Sequence, residues 1–172
     1  MFDFAKSAKL IAGAMLGGAA VFCSAVDGPP ATGDPGTLMS MLPQGFTSSN
    51  CHQEAPKPPA LERVSCDQSS ESDGPSGAKF ASYGNVDDLA TGFQNVKINL
   101  ASTCPGDQVS PGPWGYGSGE KNGGLVECGT IDGDSNTTVP VVLWTDKSKL
   151  RLAQIKGSDI SNLYQWWRTK SG

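Results

Sequence analysis

Four cysteines, Cys51, Cys66, Cys104 and Cys128, are the residues whose type and spacing most directly suggest chemistry. In an oxidising compartment an even set of thiols closes into disulfides. Four cysteines allow three connectivities. The sequential one is favoured, Cys51 with Cys66 and Cys104 with Cys128. Each bridge then closes a loop of about 15 to 25 residues and contributes on the order of 3 kcal/mol. A four-thiolate zinc site is the rival, but it wants short C-x₂₋₄-C pairs. These cysteines stand too far apart, and no metal is expected. The fifth cysteine, Cys23, falls inside an apolar N-terminal stretch, which leaves the even set to the folded part.

The other candidates are weaker. His52 is the only histidine, and no G-x-S-x-G elbow accompanies it, so it reads as a loop residue rather than a catalytic base. Asp132, Asp134 and Asn136 alternate like the start of a calcium loop. That pattern then wants Gly at its sixth place and Glu at its twelfth, where this chain has Thr137 and Leu143. Asp87 and Asp88 are adjacent, so on a helix they diverge by about 100° and suit the positive end of the dipole better than paired acid–base work. No catalytic residue and no cofactor is expected. Trp114 and Tyr116, in PGPWGYGSG, form the candidate binding surface. Aromatics in a Gly-rich loop stack on sugar rings or anchor interfaces. The structural alternative is that Trp114 folds over the Cys104–Cys128 bridge as a lid on a thin core. Trp144, Trp166 and Trp167 read as core.

The elements that position these residues follow from periodicity. Leu61 to Cys66 alternates as a strand, with Val64 and Cys66 on one face, and Ala78 to Tyr83 can pair with it. Asn85 to Gln94 reads as a helix capped by Asn85, with Val86, Leu89, Ala90 and Phe93 on one apolar face. Val96 to Leu100 alternates as a further strand. Leu125 to Cys128 and Pro140 to Trp144 read as a hairpin around a Thr130–Thr138 loop. Leu150 to Ile155 is a short strand or the start of a helix. Ser158 to Arg168 is the best-defined helix, capped by Ser158 or Asp159, with Ile160, Leu163, Tyr164 and Trp167 as its buried stripe. This order predicts an α+β domain: a small antiparallel sheet with two main helices packed on one face, two disulfides and long Gly/Pro loops.

Composition agrees. Of 172 residues, 22 are Gly and 12 are Pro, and only 37% are hydrophobic, which means many turns and a modest core. The net charge of −4 argues against nucleic acid as a partner, since phosphate binding needs a basic face. At the N-terminus, Lys6 and Lys9 precede an uncharged apolar stretch from Leu10 to Val26, which has small residues at Cys23-Ser24-Ala25 near its end. That is the pattern of a signal peptide cleaved after Ala25. Kept uncleaved, residues 10–26 would be a short membrane anchor, and Gly13 and Gly17 would give it a packing face. Lipid attachment at Cys23 would want a small residue before the cysteine, where Phe22 stands. The expected organisation is therefore 1–25 signal peptide or anchor, 26–40 flexible linker and 41–170 extracytoplasmic domain.

The succession LPQGF…C, CPG…SPGPW, LVECG, VVLWTD and SDISNLYQWW resembles a domain of mycobacterial and related actinobacterial exported proteins. Similar segments occur as the extracytoplasmic region of some membrane-anchored serine/threonine kinases. The resemblance spans roughly Met41 to Arg168. Its marks are Cys104-Pro105-Gly106, Ser110-Pro111-Gly112-Pro113-Trp114, Trp144-Thr145 and Leu163-Tyr164-Gln165-Trp166-Trp167. It implies a sensor-like or accessory module facing the cell envelope and carries over no catalytic residue. The expectation is a non-enzymatic binding module, secreted or anchored to the cell membrane, whose partner is an envelope protein or a cell-wall ligand. The alternative is a structural subunit of an envelope or membrane complex held by an uncleaved N-terminal helix.

Overall fold

The computed structural model describes residues 36–101, 103–117 and 121–170. The export segment, Cys23 and most of the expected linker lie outside the described residues. Among the described residues no helix is long and apolar enough to cross a membrane.

An eight-stranded antiparallel sheet dominates the fold. Its strands are β1 (Cys51–Glu54), β2 (Glu62–Cys66), β3 (Gly77–Ser82), β4 (Asn99–Leu100), β7 (Gly112–Trp114), β8 (Gly124–Asp132), β9 (Thr138–Asp146) and β10 (Arg151–Lys156). A two-stranded ribbon is made of β5 (Thr103–Cys104) and β6 (Gln108–Val109). The sheet order is β1-β2-β3-β10-β9-β8-β4, with β7 also paired to β8. Three helices accompany it: α1 (Thr37–Ser40), α2 (Val86–Asn95) and α3 (Ile160–Lys170).

Alternation along the central strands sorts the core into two. Phe80, Val142, Trp144, Ala153 and Ile155 face one side, where α3 lays down Leu163, Tyr164, Trp166 and Trp167. Ala81, Leu143 and Leu152 face the other side, against Leu89 and Phe93 of α2. The two main helices therefore pack on opposite faces, not on one. The reason is parity: neighbouring residues of a strand point to opposite faces, and both faces of β9 and β10 are apolar. Each large side chain so buried contributes about 1.5–3 kcal/mol.

The helix caps form as expected. The Asn85 carboxamide oxygen accepts the Asp88 backbone N–H at 2.8 Å, and the Asp159 carboxylate accepts that of Asn162 at 2.8 Å. Arg168 and Lys170 sit in the last turn of α3, where positive charge suits the dipole. On α2 the buried face is Leu89, Gly92 and Phe93, while Val86 and Ala90 are exposed. Gly92 replaces Ala90 because the Tyr83 ring lies against the helix there: a Cβ at Gly92 would meet the Tyr83 hydroxyl at 2.1 Å.

Other expectations are corrected at the boundaries. The hairpin strands β8 and β9 run nine residues each and leave only a short turn containing a 3₁₀ segment, Asp134–Asn136. The strand expected over Val96–Leu100 reduces to Asn99–Leu100 at the far edge of the sheet. The packed domain also begins before residue 41. Leu38 is fully buried, and the Glu62 carboxylate accepts the backbone N–H groups of Gly36 and Leu38 at 2.7 and 2.9 Å. A carboxylate at a helix start satisfies amides that have no partner within the helix.

Candidate functional site

Both disulfides have the sequential pairing, Cys51–Cys66 and Cys104–Cys128. Cys51 and Cys66 are direct cross-strand partners on β1 and β2, which fastens the sheet edge. Cys104–Cys128 ties the β5–β6 ribbon to the centre of β8. Beside it, the Ser110 hydroxyl accepts the Cys128 backbone N–H at 2.9 Å.

Trp114 is not a surface aromatic. It is 6% exposed, its indole N–H donates to the Thr145 carbonyl at 2.9 Å, and its ring meets Trp167 edge-on at 5.6 Å. It lies in the same buried cluster as Cys104 and Cys128, as the lid alternative required. A side chain that buries a ring and satisfies its N–H internally is a core element. Tyr116 stays at the surface, 39% exposed, with its hydroxyl 3.3 Å from that of Ser148. Of the expected aromatic pair, only Tyr116 offers area to a partner. Its phenol is pushed up chiefly by burial, and further by the hydrogen bond to Asp146.

The remaining candidates take structural places. His52 is exposed on edge strand β1, opposite Ser65. Asp88 also accepts the Asn85 side-chain N–H at 2.8 Å, within the α2 cap. Asp134 gives its carbonyl to the Thr137 hydroxyl at 2.7 Å, while the Asp132 carboxylate accepts from Asn99 at 3.4 Å. Among the described residues no group of three or more His, Cys, Asp or Glu could hold a metal ion.

Sequence reasoning passed over two features. One is a buried ion pair at the β9–β10 turn. Asp146 and Arg151 are 0% and 2% exposed, and Arg151 Nη2 lies 3.8 Å from Asp146 Oδ2. Nη1 donates to the Met41 carbonyl, and the guanidinium sits over the Phe80 ring. Lys149 adds a second cation at 3.2 Å. Asp146 Oδ1 accepts the Ser148 hydroxyl and the Ser148 and Lys149 backbone N–H groups, and so builds the turn. This bracing suits a turn in which Leu150 sits at φ 46°, an unfavourable region for a bulky residue. Burial pushes the Asp146 carboxyl up, but hydrogen bonds from Tyr116 and Ser148 and the Lys149 charge outweigh it and hold the pKa below the usual aspartate value.

No family model, curated protein or solved structure matches this chain. Its site must be read from its own geometry.

The second feature passed over is a cleft of about 410 Å³ between α2 and the sheet. The Lys57–Ala60 turn, closed by Ala60 N–H to Lys57 O at 2.9 Å, forms one wall. Ala81, Leu143 and Leu152 form an apolar floor, and Arg63, Lys79 and Gln154 project from β2, β3 and β10. The volume lies within the range of roughly 300–1,000 Å³ that holds a small ligand. An apolar floor with a few convergent polar groups is the composition such sites share. The signal available in sequence was weak, because its residues come from a turn and five elements, β2, β3, α2, β9 and β10, whose adjacency depends on the β3–β10 pairing.

Proposed function

We propose that this chain is a non-enzymatic, extracytoplasmic binding or sensor-like accessory module of the bacterial cell envelope. The pair of disulfides carries this reading, since such bridges persist in oxidising compartments. The signal-like N-terminus and the resemblance to actinobacterial exported domains support it. The cleft beneath α2 and the exposed Tyr116 supply the surfaces through which an envelope protein or cell-wall ligand is recognised.

The test has two parts. Mass spectrometry of the chain recovered from the envelope of an expressing bacterium reads its N-terminus, and a start at Val26 supports a released module. A retained N-terminus supports instead the anchored subunit of a membrane complex. Recovery in the cytoplasm with free thiols refutes both. Pull-downs from envelope extract then compare wild type with Tyr116→Ala. Trp114→Ala is unsuitable for that comparison because it empties the core.

A further inference from the structure

The cleft beneath α2 is positively charged on an acidic protein. The whole chain carries −4, yet Lys57, Arg63 and Lys79 line the cleft and no carboxylate does. Arg63 is paired with Glu54 at 2.9 Å, at the rim of the same sheet face. Lys57 and Lys79 make no ion pair among the described residues. Two cations are thus left uncompensated above an apolar floor.

Tyr83 also lines the cleft, with its ring buried and its hydroxyl available as a donor. The Tyr83 hydroxyl stands over Gly92, the one position of α2 where no side chain fills the cleft wall. Burial raises its pKa against the Arg63 charge, so at neutral pH the phenol keeps its proton and can donate.

We infer that this cleft binds a small amphipathic anion, its charged end held by Lys57, Lys79 and the Tyr83 hydroxyl and its apolar body laid over Ala81, Leu143 and Leu152. This rests on the reading of the chain as a binding module and names its ligand class. The volume admits one drug-sized molecule, not a polymer segment. The two uncompensated cations select an anion over a neutral body of the same shape.

The test titrates the folded full-length chain with anilinonaphthalene sulfonate and, separately, with its uncharged parent phenylnaphthylamine, by fluorescence. Decanoate and decanol then compete for the bound dye. Wild type is expected to bind the sulfonate at least about tenfold more tightly than the amine, with decanoate the better competitor. Lys79→Glu should weaken the sulfonate about tenfold and leave the amine unchanged. Tyr83→Phe should weaken the sulfonate about tenfold, the loss of one hydrogen bond to a charged acceptor. Both variants are compared at matched denaturation midpoints, and Lys79→Gln, expected to be intermediate, replaces Lys79→Glu should that midpoint fall. Equal binding of amine and sulfonate, insensitive to Lys79, would overturn the ligand class while leaving a binding cleft in place. If neither dye binds, the cleft is not a ligand site and this inference falls, while the reading as an exported binding module still stands or falls by its N-terminus and the Tyr116 pull-downs.

Discussion

Replacing Arg151 with methionine measures the worth of the buried ion pair, because methionine keeps an unbranched stem and removes the charge. Wild-type Arg151 reaches Asp146, the Met41 carbonyl and the Phe80 ring at once, and so joins the N-terminal segment to the β9–β10 turn. The substitution removes a charged hydrogen bond to a carbonyl, about 1.5–3 kcal/mol. It also leaves a fully buried carboxylate with Lys149 as its remaining cation. Removing one member of a buried pair costs about 3–5 kcal/mol, and that range is expected here. Urea unfolding should show a lower midpoint at an unchanged slope. Glu54→Gln is the control. It breaks the Arg63–Glu54 pair, whose side chains are 23% and 29% exposed, and should cost less than about 1 kcal/mol. The pH dependence has a definite sign. The folded Asp146 pKa lies below its unfolded value, so its contribution is present above the ordinary aspartate pKa and is lost as pH falls through the depressed one. Asp146→Asn should flatten that acid limb. A loss below about 1 kcal/mol for Arg151→Met would refute the claim that this pair fastens the N-terminal segment to the sheet.

Three further outcomes follow from the geometry. Replacing both cysteines of one bridge with serine should cost about 3 kcal/mol for either, since the bridges span 15 and 24 residues; denaturation of each variant under oxidising conditions checks this. Gly92→Ala should lower the melting temperature although alanine favours helix by about 1 kcal/mol, because its Cβ would meet the Tyr83 ring. A melting temperature at or above wild type would show that the ring moves freely. Trp114→Phe should cost about 1–3 kcal/mol by leaving the Thr145 carbonyl without its donor, read by urea unfolding.

Local chemistry was the legible part of this fold. The Asn85 and Asp159 caps, the alternation of β2 and β3 and the stripe on α3 depend on residues within one or two turns of each other, so their spacing suffices to find them. Cysteine spacing favoured the pairing that forms. The side on which α2 packs was not legible. It follows from β3 pairing with β10, so that Ala81 lies opposite Leu152 some 71 positions along the chain. Alternation shows that a strand has two faces but not which strand lies beside it. The same limit hid the Asp146–Arg151 pair, because the spacing of two charges in a polar turn does not reveal that both are buried.

The aromatic loop shows how this limit redirects the search for function. In sequence, Trp114 and Tyr116 look equivalent: two rings among glycines and prolines. Once β7 pairs with β8, alternation turns Trp114 inward, where Thr145 offers an acceptor for its N–H and Trp167 a ring edge. Tyr116 lies beyond the end of β7 and stays at the rim. On the opposite face of the sheet, Lys57, Lys79 and Tyr83 line a cleft floored by apolar side chains. Two lysines without an ion pair beside an apolar floor suit an anion that carries an apolar body. Function is therefore better sought under α2 than around Trp114, whose groups are already satisfied within the core.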